Sequence, residues 1–173
     1  MSCLITGGYT LPCKGISGIQ AVYIGNWNGS AMTYTMGSAS NPNLITGLAG
    51  VTQSFYTFQQ EIEQGSLTET GNFNPQNGTA YYDQVVEITV MQPTQLLVDK
   101  VNQLGQGRWR IIILDSNANY WLVGQVNPVS VTAVAGGPGK AYADLNGFTI
   151  TFTGKELNIL TQLTSTAALT VIS

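Results

Sequence analysis

Four carboxylates, Glu61, Glu63, Asp83 and Glu87, are the residues of this sequence best placed for shared chemistry. Two precede and two follow a turn signal at Pro75-Gln76-Asn77-Gly78, so a hairpin between them would bring all four together. A carboxylate pair can hydrolyse a glycosidic bond, one group as acid and the other as base or nucleophile. Such enzymes usually set aromatic platforms and basic residues around a cleft, an arrangement this region lacks. The plainer reading is the solvated acidic face of a sheet. Histidine is wholly absent, which removes the commonest general base and the commonest neutral metal ligand. A Ser-His-Asp or Cys-His device is therefore excluded. The chain reads as a non-enzyme with no catalytic residues, no cofactor and no metal.

The remaining candidates are weaker. Cys3 and Cys13 read either as two reduced thiols or as a disulfide closing a small loop around Gly7 and Gly8. Two thiols without histidine cannot complete a tetrahedral zinc shell. Asp115-Ser116-Asn117-Ala118-Asn119 shares the opening of a calcium loop, but lacks its glycine at the sixth position and its closing glutamate. A hairpin turn explains the segment without an ion. The glycines at 136, 137 and 139 precede no helix and no Lys-Ser/Thr pair, so a phosphate cradle is not expected. Trp27, Trp109 and Trp121 each sit in a strand-like run, where core packing is the default.

Composition narrows the class further. The chain of 173 residues has 43% hydrophobic residues, enough to build a core. Charged residues make up 9%, against about 25% in ordinary soluble domains. Dense mixed charge opposes self-association, so a surface made of Thr, Ser, Asn, Gln and Gly suits a protein covered by copies of itself. Net charge is −3 with no basic run, which argues against binding a phosphate backbone. No apolar run approaches the length of a membrane span, and the first residues lack the form of an export signal.

The elements that would position these residues are mostly strands: short β-branched and aromatic runs separated by Gly, Asn and Pro. The first covers residues 19–26, with 32–36 as its expected partner, and 37–50 reads as a loop holding one short strand. Residues 55–64 alternate, with Tyr56, Phe58 and Ile62 on one face and Thr57, Gln59, Glu61 and Glu63 on the other. After Gly65 the chain stays extended through Leu67 and Phe73, turns at Pro75 and Gly78, and returns over 80–91. There Val86, Ile88 and Val90 oppose Asp83, Val85, Glu87 and Thr89. The hairpin exceeds the usual strand length, and its outer half, residues 65–79, has little to bury in its own subunit. That half reads as an assembly arm. A helix is expected over 94–104, capped by Thr94 and stopped at Gly105 and Gly107. Strands resume over 108–114, 120–126, 129–135 and 145–154, with a glycine loop at 136–139. The tail after Lys155 reads as a further strand or a docked extension. The sum is one domain over 1–173, with an N-terminal arm and a C-terminal extension: mainly β, an antiparallel sandwich or barrel with one flanking helix and a long projecting hairpin.

Three stretches carry a likeness to known proteins. They are Arg108-Trp109-Arg110-Ile111-Ile112-Ile113-Leu114-Asp115, Asn119-Tyr120-Trp121-Leu122-Val123-Gly124, and Asp144-Leu145-Asn146-Gly147 through Phe148 to Glu156. They resemble a C-terminal pattern of virion structural proteins from tailed phages, especially phages of Bacteroidetes hosts. Cys13-Lys14-Gly15 and Gly18-Ile19-Gln20-Ala21-Val22-Tyr23-Ile24 are similar to the start of the same group. The order of elements resembles the phage tail-tube fold, in which six-membered rings of a β-barrel with a flanking helix stack into a hollow tube. That resemblance implies a tube subunit in the virion, partnered by copies of itself and by other virion proteins at the tube ends. DNA would pass through the lumen without specific binding, and Glu61, Glu63, Asp83 and Glu87 would face it. The long irregular stretch 37–50 departs from the pattern. It leaves a head–tail connector ring, or a head-decoration or host-surface binding protein, as the alternative.

Overall fold

The computed structural model describes residues 8, 9, 14–27, 29, 33–38, 41, 43–49 and 54–173. Cys3 and Cys13, read as two reduced thiols or as a disulfide, lie outside the described residues. The elements in chain order are β1 (Ile19–Asn26), β2 (Thr33–Met36), β3 (Ile45–Ala49), β4 (Phe55–Phe58), β5 (Ser66–Asn74) and β6 (Thr79–Met91). Then come α1 (Gln95–Gln106), β7 (Trp109–Asp115), β8 (Tyr120–Val123), β9 (Ser130–Gly137), β10 (Gly147–Glu156), β11 (Thr161–Leu163) and α2 (Ser165–Leu169). Strand accounts for 50% and helix for 11%, so the fold is mainly β.

Among the described residues the strands form two sheets. One has seven strands, ordered β2-β3-β11-β8-β7-β1-β4; the other has four, ordered β5-β6-β10-β9. They pack face to face as a sandwich and do not close into a barrel. Val22 and Ile24 of β1, Ile111 and Ile113 of β7, Val86, Ile88 and Val90 of β6, and Ile150 and Phe152 of β10 fill the space between them. A second cluster lies on the far side of the large sheet, where Ile112, Leu122, Ile45 and Phe55 meet Leu163 and Val171. This explains the run Ile111-Ile112-Ile113: all three side chains are buried, the odd pair toward one cluster and Ile112 toward the other. A strand covered on both faces loses the usual alternation.

Several expectations are corrected. The strand expected over 55–64 ends at Phe58, and its apolar face is not the expected one: Phe55 is fully buried while Tyr56 and Ile62 are exposed. The chain then crosses from the large sheet to the small one over residues 59–65, with Glu63 at φ 64°. β2 pairs with β3 rather than with β1, and β3 is the strand expected within 37–50. One pairing, β11 with β3, is parallel, and it departs from an all-antiparallel sandwich. α1 lies where a helix was expected, with Thr94 Oγ1 accepting from Leu97 N at 3.3 Å. α2 is a second helix, too short for helical periodicity to register, and it seats Ala167 and Ala168 in the interior. The C-terminal tail is thus both a strand and a docked extension. Gly136 and Gly137 belong to β9 rather than to a loop; Gly136 has φ 151° and passes so close to Gly147 O that no Cβ fits.

Candidate functional site

The four-stranded sheet presents one face to the core and the other outward. On β6 the division falls where alternation places it: Gln84, Val86 and Ile88 are buried, while Tyr81, Asp83, Val85 and Glu87 point away. The outward rows follow from register. Thr70 pairs Asp83, which pairs Lys155; Thr68 pairs Val85, which pairs Thr153; Ser66 pairs Glu87, which pairs Thr151. Thr132 extends the hydroxyl array on β9, its Oγ1 lying 2.9 Å from Thr153 Oγ1. The result is a face dominated by hydroxyls. β-Branched threonine suits the pleat and leaves a polar surface without charge.

The expected acidic face is therefore split. Asp83 and Glu87 share the outward side of β6, as their spacing predicts. Glu61 and Glu63 sit in the crossover between the sheets, exposed and off this face. Asp83 is not a free charge either. Its Oδ1 accepts from Lys155 Nζ at 2.7 Å and its Oδ2 from Asn72 Nδ2 at 2.7 Å. Lys155, whose pKa is raised chiefly by that hydrogen bond, also lies over the Tyr81 ring. Among the described residues Glu87 remains as the face's unbalanced carboxylate.

The outer edges of this sheet, β5 and β9, have no strand partner among the described residues. β9 carries no charged residue and no proline over its eight residues. Unpaired main-chain groups in a strand of this length are a template for another strand. Beyond the end of β10, where Glu156 pairs Tyr82, the β5–β6 hairpin continues alone to its tip. Asn74 Oδ1 accepts from Gln76 N and Asn77 N there, and Gly78 adopts φ 63°. Of the expected arm residues, Gly65 ends the crossover and Leu67 is packed on the core at the root. Phe73, Pro75 and Gly78 belong to the free tip, where Phe73 is 64% exposed and meets Tyr82 edge-on.

The arm's root is anchored by groups that sequence reasoning missed. Glu69 lies on the inward side with Leu67, a placement their spacing of two already contains. Its carboxylate accepts from Leu160 N at 2.8 Å and from Gln84 Nε2 at 3.0 Å. Gln84 Oε1 in turn accepts from Gly124 N, and Gly124 O accepts from Arg110 Nε at 3.2 Å. Arg110 is 2% exposed, lies 5.9 Å from the Trp27 ring centre, and has its pKa lowered by burial. Glu156, 3% exposed, accepts from Val126 N and Asn127 N; burial raises its pKa against those bonds. No pattern marks Arg110 and Glu156 in the sequence, because burying a charge depends on what folds over it.

The other sequence candidates take structural places. Asp115 closes the β7–β8 turn, accepting from Asn117 N, Asn119 N, Asn119 Nδ2 and Trp121 Nε1. Trp109 donates to Leu104 O at 2.8 Å, and both Trp109 and Trp121 pack on the core. Among the described residues no group of acidic or sulfur side chains is placed to hold a metal, and no helix is long and apolar enough to cross a membrane. Comparisons with protein-family models, with curated proteins and with solved structures each returned no match.

Proposed function

We propose that this chain is a structural subunit of a phage tail tube, building homomeric rings that stack around a lumen for genome passage. The observation that carries the reading is the small sheet with two open edges. Its four strands are all antiparallel, so β5 and β9 run in opposite directions. An even number of antiparallel strands makes a head-to-tail junction, β9 of one copy against β5 of the next, antiparallel as well. Every copy can then join the next by the same bond, and a repeated heterologous contact that closes gives a ring. Closure also removes the exposed edges.

In such a ring the hydroxyl face of the sheet forms one continuous wall. Turned inward, it suits DNA transit: with Asp83 held by Lys155, Glu87 leaves each copy a single unbalanced negative charge. The wall repels phosphate weakly and offers it no cation cluster to adhere to. Low surface charge and the absence of histidine fit a passive conduit. Negative-stain images of the purified protein test the reading. Stacked hollow rings support it; compact monomers or trimers point to a decoration or surface-binding protein instead.

A further inference from the structure

Asparagine followed by glycine occurs in the sequence at 28–29, 77–78 and 146–147. Asparagine is among the thermolabile residues, and before glycine no Cβ hinders attack by the next amide nitrogen on its side chain. The fold decides which pair is free to react. Asn28 lies outside the described residues. Asn146-Gly147 is locked. Gly147 is buried at the start of β10, paired with Met91 on one side and with Gly137 on the other. Asn146 O accepts from Gln92 N at 2.9 Å, and a Cβ added to Gly147 would meet Val90 O, so β6 walls in this backbone.

Asn77-Gly78 is the reverse case. Both residues are exposed in the turn between β5 and β6. Nothing lies within 4 Å of a Cβ built on Gly78. Gly78 N and the Asn77 carboxamide have no hydrogen-bond partner among the described residues. We propose that Asn77 is a site of spontaneous deamidation in the folded chain, yielding aspartate and isoaspartate at the hairpin tip. Hydroxide takes the proton of Gly78 N, and that nitrogen bonds to Asn77 Cγ. The Cγ–Nδ2 bond breaks, and ammonia leaves with a proton from water, which returns the hydroxide. Water then opens the five-membered imide. Cleavage between Cγ and the ring nitrogen gives aspartate; cleavage at the main-chain carbonyl carbon gives isoaspartate, whose chain runs through Cβ and Cγ. Water is the sole co-reactant. Either product puts a carboxylate on residues 71–82, a stretch that carries no charge, and isoaspartate lengthens the turn by one methylene. The chemistry is independent of the tube reading, and its failure leaves that reading untouched.

The test incubates the full chain at mildly alkaline pH, with and without urea, and follows both sites by peptide mass spectrometry. Electron-transfer fragmentation separates isoaspartate from aspartate. Gly147 N reacts only when its ladder opens, so conversion at Asn77 should be about tenfold or more faster than at Asn146 in the folded protein. In urea the ladder is gone and the two rates should converge. An Asn77 that stays intact, or reacts no faster than Asn146 in the folded chain, overturns the proposal. A difference that persists undiminished in urea overturns it too, because selectivity would then belong to the flanking residues and not to the fold.

Discussion

Asp115 and Glu156 are both carboxylates that accept main-chain hydrogen bonds, and they respond to pH in opposite senses. Burial pushes the pKa of Asp115 up, but the bonds from Trp121, Asn119 and Asn117 outweigh it and hold the group below its ordinary value. A depressed folded pKa contributes stability that is fully present above the unfolded value near 3.9 and is lost as pH falls through the folded one. For Glu156 burial dominates and the folded pKa is raised. Its contribution is present below about pH 4.3 and lost as pH rises through the folded value. Two outcomes are expected in urea titrations. Asp115→Ala should cost about 1.5–3 kcal/mol at pH 7, the range for hydrogen bonds to a charged group, with less cost at low pH. Glu156→Gln keeps an acceptor for Val126 N and Asn127 N but removes the titration. The stability of the wild type relative to this variant should therefore decline as pH rises from about 4. Parallel curves would contradict the assignment.

At the scale of elements, the β5–β6 hairpin and the β9 edge carry the assembly. Replacing residues 71–82 by a two-residue Asn-Gly turn should leave a folded subunit, because the core contacts of Leu67 and Val86 and the Glu69–Leu160 bonds lie below the cut. Circular dichroism should be little changed and long tubes should be absent; tubes of normal length would exclude the tip from stacking. Ala133→Lys with Ala135→Lys places charge on the outward, exposed side of β9, the device natural edge strands use against pairing. Ring formation should fall sharply while the melting profile changes by no more than about 0.5 kcal/mol, the range for surface substitutions. By contrast Phe152→Ala, in the middle of the core, should cost about 3–5 kcal/mol. Much of the hairpin was legible: the alternation of Val86 and Ile88 against Val85 and Glu87 is a period of two on a half-covered sheet. The crossover at 59–65 was not, since its one positive φ falls on Glu63 rather than on glycine, and the alternating pattern runs straight through it.

For the molecule as a whole, strand content, the helix after Thr94 and the projecting hairpin could be read from residue order. Which strands share a sheet could not. β2 was expected beside β1 but pairs with β3, and β11 pairs with β3 from far along the chain. Long-range pairing of this kind leaves no local mark. The four carboxylates that suggested one acidic face belong to two places, and the face that emerges is hydroxyl-rich with one unbalanced charge. That makes the central claim geometrical: the small sheet continues from copy to copy through β9 and β5. Cryo-electron microscopy of the assembled protein tests it most directly. β9 of each copy should lie antiparallel to β5 of its neighbour, with Thr68, Thr151 and Glu87 facing the lumen. A reconstruction in which these edges stay unpaired, or in which that face lies on the outside, would contradict it.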